Sequence, residues 1–245
     1  MMNHLTAWGR AVLDLCFPPA CLGCATRLLD SGGPLFCATC LAAIELIREP
    51  LCPGCGRGFT KAAGTNHLCS RCLKTPRHFS TARAVVYYDE PVAGVLHGFK
   101  YHGKTCGLAS LGFLKQALPE LDALADVDLI IPVPLHVKRL RQRGFNQALE
   151  LARVLFPAHR ARIDPLVLAR CRWTVPQTGL SGKARRQNLA SAFRVNRPAR
   201  VAGKTVLLVD DIFTTGTTLN ECARVLRLAG ALEVRAFTLA RVRED

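Results

Sequence analysis

Asp210 and Asp211 stand side by side between an apolar run, Val206-Leu207-Leu208-Val209, and a hydroxyl-rich turn, Thr214-Thr215-Gly216-Thr217-Thr218. Adjacent carboxylates can accept hydrogen bonds from sugar hydroxyls or hold Mg²⁺ through water. Hydroxyls and backbone N–H groups gathered around a glycine at a helix start can cradle a phosphate. The apolar run reads as a buried strand ending at the carboxylates, and Leu219, Cys222, Ala223, Leu226 and Ala229 then recur at helical spacing. Strand, loop and helix N-terminus in that order make a site for a phosphorylated sugar. The bland alternative is an ordinary strand–turn–helix with a solvated acidic turn. The length of the motif and its place directly after a four-residue apolar strand argue against it.

A second chemistry belongs to the cysteines. Eight of the twelve form four Cys-x-x-Cys pairs: Cys21/Cys24, Cys37/Cys40, Cys52/Cys55 and Cys69/Cys72. Each pair can form a knuckle supplying two thiolates, and two knuckles close a tetrahedral Zn²⁺ site. One or two structural zinc ions are expected, with either successive or interleaved pairing of the knuckles. A redox dithiol is the alternative, but it comes as a single Cys-x-x-Cys rather than four in tandem. A module of about fifty residues with few large apolar side chains needs metal to fold. Cys16, Cys106, Cys171 and Cys222 lack such spacing and read as small apolar residues.

The elements that must position these groups alternate. Ala84–Tyr88 reads as a strand, and Val92, Val95, Leu96 and Phe99 follow at helical spacing. A helix is expected over residues 108–118, a strand at Asp128–Pro134, a helix at Ala148–Phe156 and a last strand at Val234–Leu239. Strands alternating with helices predict an α/β fold: a mostly parallel sheet with flanking helices and sites at the carboxyl ends of its strands. The expected division is an N-terminal helix over 1–20, a cysteine-rich zinc module over 21–80 and the α/β domain over 81–245.

Gly98-Phe-Lys-Tyr-His-Gly103-Lys104-Thr105 matches the phosphate loop of nucleoside triphosphatases. That motif needs a strand running into its first glycine, whereas Gly98 follows a segment with helical spacing. A nucleoside triphosphatase is therefore the weaker reading. No apolar run approaches the roughly 18 residues of a membrane span, and the first residues lack a signal-peptide pattern. A cytoplasmic, reducing location is the default.

The formal net charge of +15 is concentrated: residues 136–200 alone carry +13, with Glu150 and Asp164 their two acids. His136-Val-Lys-Arg139-Leu-Arg-Gln-Arg143 follows the predicted Asp128–Pro134 strand, and Gln177-Thr-Gly-Leu-Ser-Gly-Lys-Ala-Arg185-Arg186 lies in a Gly/Ser-containing loop. Arginine forks suit pyrophosphate oxygens. A string of them also suits a nucleic-acid backbone. A merely solvated basic surface would have acids interspersed.

The Val206–Thr218 stretch resembles the signature of type I phosphoribosyltransferases, which bind 5-phosphoribosyl-1-pyrophosphate (PRPP). Pro132-Val-Pro-Leu-His136, Arg143-Gly-Phe-Asn-Gln147, Gln177-Thr-Gly-Leu and Arg185-Arg-x-Asn188-Leu, with the upstream double Cys-x-x-Cys module, resemble the ComF family. The resemblance implies that Asp210 and Asp211 contact the ribose and, through Mg²⁺, the catalytic centre. It implies that Thr214, Thr215, Gly216, Thr217 and Thr218 hold the 5-phosphate. His136, Arg139, Arg143, Gln177, Arg185 and Arg186 would belong to the pyrophosphate loop and to the loop that covers the site. For the whole chain the resemblance implies a PRPP-binding protein of DNA uptake or utilisation, contacting single-stranded DNA and a DNA-translocation helicase. An active phosphoribosyltransferase on an unidentified nucleobase or amine acceptor is the alternative.

Overall fold

A computed structural model of the chain describes residues 19–28, 35–59, 64–102, 112, 114, 121–173 and 191–243. The expected helices over 1–20 and 108–118 lie outside them, apart from a few isolated positions, as do Gly103-Lys104-Thr105, Cys16 and Cys106. In chain order the elements are α1 (Ala38–Ala42), α2 (Ser70–Lys74), β1 (Thr81–Tyr87), α3 (Val92–His102), α4 (Leu121–Leu124) and β2 (Leu129–Pro132). There follow α5 (Val137–Arg143), α6 (Gln147–Leu155), β3 (Leu168–Arg170), β4 (Phe193–Val195), β5 (Thr205–Phe213), α7 (Thr217–Leu228) and β6 (Glu233–Arg241).

Strands that are apolar at successive positions must be covered on both faces, which favours parallel pairing between helical layers. Leu129–Pro132 is buried throughout, as is Val206–Val209, and β6 is buried from Ala236 to Arg241. These strands and β1 form one parallel sheet in the order β1-β6-β5-β2. One face takes Leu207, Val209, Phe237 and Leu239 against α3, α4 and α6. The opposite face takes Val206, Leu208, Val234 and Ala236 against α7 and the small antiparallel pair β3/β4. Leu207, Leu208 and Phe237 are completely buried, each contributing roughly 1.5–3 kcal/mol by leaving water.

Periodicity explains the helices. Ala148, Leu151, Ala152 and Leu155 put one stripe of α6 into the core, and Asn146 caps it by accepting the Ala148 N–H at 3.0 Å. On α7 the stripe is Leu219, Cys222, Ala223 and Leu226. Helix α3 runs through Gly98, so no strand enters the nucleotide-binding motif considered above.

One expectation needs correction. β5 does not stop at Val209 but continues through both carboxylates to Phe213, because pairing with β6 persists at Asp210–Thr238, Ile212–Ala240 and Phe213–Arg241. The apolar run ends where the strand begins to line a cleft, not where its backbone pairing ends. The pair β3/β4 and the short helix α5 were not expected. Three-residue strands and a helix that buries no residue leave no periodic signal.

The cysteine-rich segments pack on the sheet. The cluster containing Cys52, Cys55, Cys69 and Cys72 joins the α7 face, while Cys21 and Phe36 join the α3 face, so the two straddle β1. Ile47 donates to the Val85 carbonyl at 2.9 Å and Tyr87 to that of Glu45 at 3.0 Å. Gly56 has φ of +70°, and a Cβ there would lie 2.4 Å from the Ala82 carbonyl oxygen. Only glycine allows that approach. Arg243 bridges Glu45 and Asp89 while lying 4.0 Å over the Tyr87 ring. Among the described residues no helix is long and apolar enough to cross a membrane.

Candidate functional site

β2 and β5 are neighbours in the sheet, and a cleft of about 230 Å³ opens where their carboxyl ends meet. Its first wall carries Asp210, Asp211, Thr214 and Thr218. Its second wall, contributed by the chain after β2, carries Arg139, Arg143, Asn146 and Gln147. Arg170, at the end of β3, closes a third side. Two carboxylates therefore face three guanidinium groups across a space the size of a small anion-bearing ligand.

On the first wall, the Asp211 N–H donates to Asp210 Oδ1 at 2.9 Å, which fixes that carboxylate. Beyond it the chain must turn from strand to helix within three residues. Gly216 does this with φ of +71°, and a Cβ there would strike the Phe213 ring at 2.4 Å. Both the conformation and the space demand glycine. Thr215 and Thr217 hydroxyls hydrogen-bond at 2.7 Å, bracing the loop. Gly216 offers no side-chain cap to the twelve-residue α7, so the positive end of that helix faces the threonine loop.

The second wall is braced from beneath. Val133 donates to the Val209 carbonyl at 2.8 Å, extending the pairing of β2 with β5. Asn146 Nδ2 donates to the Val133 carbonyl at 3.1 Å while its Oδ1 caps α6, so both polar atoms of its amide have a partner. His136 caps α5 by accepting the Lys138 N–H at Nδ1, 3.2 Å away. His136 is not among the residues lining the cleft. Trp173 packs edge-on to His136 at 5.2 Å and within 5.5 Å of the Arg139 guanidinium, with 40% of its surface exposed at the rim.

Charges in the cleft perturb one another. Burial, then the Arg139 charge, lowers the pKa of Arg170, while Asp210 favours its charged form. Burial, then the Asp210 charge, raises the Cys222 thiol well above its usual value, so it remains neutral under the site. Of the residues expected from sequence, Asp210, Asp211, Thr214, Thr218, Arg139 and Arg143 meet here. Gln177, Arg185 and Arg186 lie outside the described residues. Arg170 was missed: it belongs to no motif, and a parallel bridge between His136 and Arg170 carries it to the cleft.

The cysteines form two clusters, Cys21/Cys24/Cys37/Cys40 and Cys52/Cys55/Cys69/Cys72, with sulfurs in each within 4.8 Å of one another. This decides the pairing as successive rather than interleaved. The residues fit zinc. Four thiolates at about 2.3 Å from a tetrahedral ion lie about 3.8 Å apart. Cys24–Cys37 and Cys55–Cys69 sulfurs are each separated by 3.7 Å. Burial opposes ionisation of Cys21, but amides of Cys37, Cys24 and Gly23 outweigh it and bring its pKa to about 6. Burial and the sulfur neighbours push Cys40 up to about 12. A dication removes that conflict by stabilising all four thiolates at once.

Comparison with known proteins agrees with both halves. Residues 140–245 match the phosphoribosyl transferase domain and residues 12–73 the double zinc ribbon domain. DNA utilization protein YhgH of Escherichia coli O6:H1 is 35% identical over 211 residues, covering 84% of this chain and 89% of its own. Competence protein F of Haemophilus influenzae is 32% identical over 222 residues, covering 84% and 96%. Competence protein ComFC of Bacillus subtilis is 28% identical over 217 residues, covering 84% and 83%.

Proposed function

Because the chain belongs to the ComF family of competence and DNA-utilisation proteins, we propose that it binds PRPP or a related phosphorylated sugar and acts in DNA uptake or utilisation. The observation that carries this reading is the meeting of Asp210, Asp211, Thr214 and Thr218 with Arg139 and Arg143 in one cleft. The N-terminus of α7 and the threonine loop hold the 5-phosphate through Thr214, Thr215, Gly216, Thr217 and Thr218. Asp210 and Asp211 accept the ribose hydroxyls. Arg139 and Arg143, joined by Gln177, Arg185 and Arg186, take the pyrophosphate, with His136 holding their helix in place. Asp210 and Asp211 would hold Mg²⁺, which would supply charge neutralisation of the pyrophosphate. In this reading residues 21–80 form the metal-bound module and residues 81–245 the sugar-phosphate domain.

Single-stranded DNA tracks the +13 segment, where fifteen basic residues against two acids, Glu150 and Asp164, match a phosphate backbone. Trp173 at the rim supplies one face or edge for a base. Binding is favoured over transfer. Among the described residues the cleft wall carries no aromatic ring to seat a nucleobase. The alternative, transfer, would break the bond from the anomeric carbon to pyrophosphate and form one to an acceptor. Asp210 and Asp211 would then favour the positive charge on the ring.

Titration calorimetry with PRPP and Mg²⁺ tests the site, and wild-type protein should bind with loss of affinity in Asp211→Ala. Absence of binding overturns the proposal. Steady release of pyrophosphate with pooled bases would replace the binding role by the transferase. DNA affinity that does not weaken between low and high salt would remove the electrostatic track.

A further inference from the structure

Asn146 and Gln147 are adjacent amides that both line the cleft, yet their hydrogen bonding differs completely. Both polar atoms of the Asn146 amide have partners, the Val133 carbonyl and the Ala148 N–H. Gln147 is 3% exposed, and its Nε2 is buried with no hydrogen-bond partner among the described residues. A buried amide donor left unpaired costs about 1–3 kcal/mol, so one at the floor of a ligand cleft calls for an acceptor that arrives from outside.

The position says which part of a ligand that acceptor belongs to. Gln147 is the first residue of α6, on the wall with Arg139 and Arg143 and across from the threonine loop and the α7 N-terminus. Both arginines reach the cleft on long stems from α5, a helix that buries no residue. Gln147 instead presents a neutral donor from a side chain that is itself almost wholly buried at the start of α6.

We infer that Gln147 is a specificity-determining residue whose side-chain amide donates to an oxygen of the ligand's pyrophosphate, on the side remote from the 5-phosphate. The inference rests on the reading of the cleft as a PRPP site. It makes the pyrophosphate end of the ligand recognised by one neutral hydrogen bond as well as by the arginine charges. An extended anion that presents no acceptor at that point is discriminated against.

The test uses the full chain with its metal, and two half-ligands: pyrophosphate with Mg²⁺, and ribose 5-phosphate. Gln147→Met keeps the length and removes the donor, and Gln147→Glu replaces it by a charge. With Gln147→Met, pyrophosphate affinity should fall about 10- to 100-fold, the worth of one hydrogen bond to a charged group. Ribose 5-phosphate affinity should stay within about twofold, and the melting temperature should be unchanged or higher because an unpaired donor is gone. Gln147→Glu should lose pyrophosphate more severely. Unchanged pyrophosphate binding by Gln147→Met overturns the inference while leaving the PRPP reading intact. So does a lower melting temperature with both half-ligands weakened in parallel, since that describes a structural glutamine. Wild-type protein that binds neither half-ligand overturns both.

Discussion

The guanidinium of Arg241 lies 4.4 Å over the ring of Phe213. The same group, 2% exposed, donates to the Cys55 carbonyl at 2.7 Å. Its other arm reaches within 3.9 Å of the Cys55 sulfur. Phe213 is the ring that fills the space beside Gly216 in the threonine loop. A cysteine cluster, a buried cation, an aromatic ring and a phosphate-type loop thus touch in sequence.

Replacing Arg241 by Leu removes the stacking cation and leaves the Cys55 carbonyl without its donor. Loss of about 2–4 kcal/mol of stability is expected by urea unfolding. Wild-type stability in Arg241→Leu would mean that the contact chain is incidental.

Gly216→Ala should weaken both binding and folding. The new methyl group would meet the Phe213 ring at 2.4 Å in a left-handed backbone conformation. The expected cost is about 1–3 kcal/mol in stability, with ribose 5-phosphate affinity falling at least about tenfold as the loop shifts. Calorimetry on the folded fraction checks this.

The two metal sites should differ in lability. Cys24 is exposed, whereas Cys52, Cys55, Cys69 and Cys72 are all buried. Elemental analysis should give two zinc ions per chain. A chelator should remove them in two phases, the first abolished in Cys24→Ser and the second accompanied by loss of tertiary structure. A single phase would show that the sites fold as one unit.

Glu233 has a lowered pKa, chiefly through its hydrogen bond to Arg235 and also through Ser80. The sign follows from the direction of the shift. A carboxyl with a depressed folded pKa contributes stability that is present above its unfolded value and lost as pH falls through the folded one. The difference in stability between wild type and Glu233→Gln should therefore be constant from about pH 5 to 8 and shrink below about pH 4.5. The partly exposed pair limits the plateau to about 1 kcal/mol or less. A difference that grew on acidification would reverse the assignment.

Much of this molecule was readable in one dimension because its signals are local. The four-residue apolar runs of β2 and β5 announce strands covered on both faces. The Asp210–Thr218 stretch carries carboxylates, loop and helix start within nine residues, and the Cys-x-x-Cys pairs carry their own geometry. What could not be read depends on contacts remote in sequence. Arg170 enters the cleft through a strand of three residues and a bridge to His136. The continuation of β5 through Asp211 depends on a partner strand some thirty residues later. His136 was expected in the pyrophosphate loop, and that its Nδ1 caps the helix following that turn is announced by no motif. Nothing in composition separates the spent amide of Asn146 from the spare one of Gln147.

The hydrogen bonds that tie the Glu45–Ile47 segment to Val85 and Tyr87 on the outer side of β1 have a consequence for the cell as well as for the fold. An uncovered outer strand of a parallel sheet offers a row of unpaired backbone groups to any passing chain. Here that row is occupied by a segment lying between the two cysteine clusters. Protein made during zinc shortage would expose this flank, and its fate would then be self-association and proteolytic clearance before any ligand could be met.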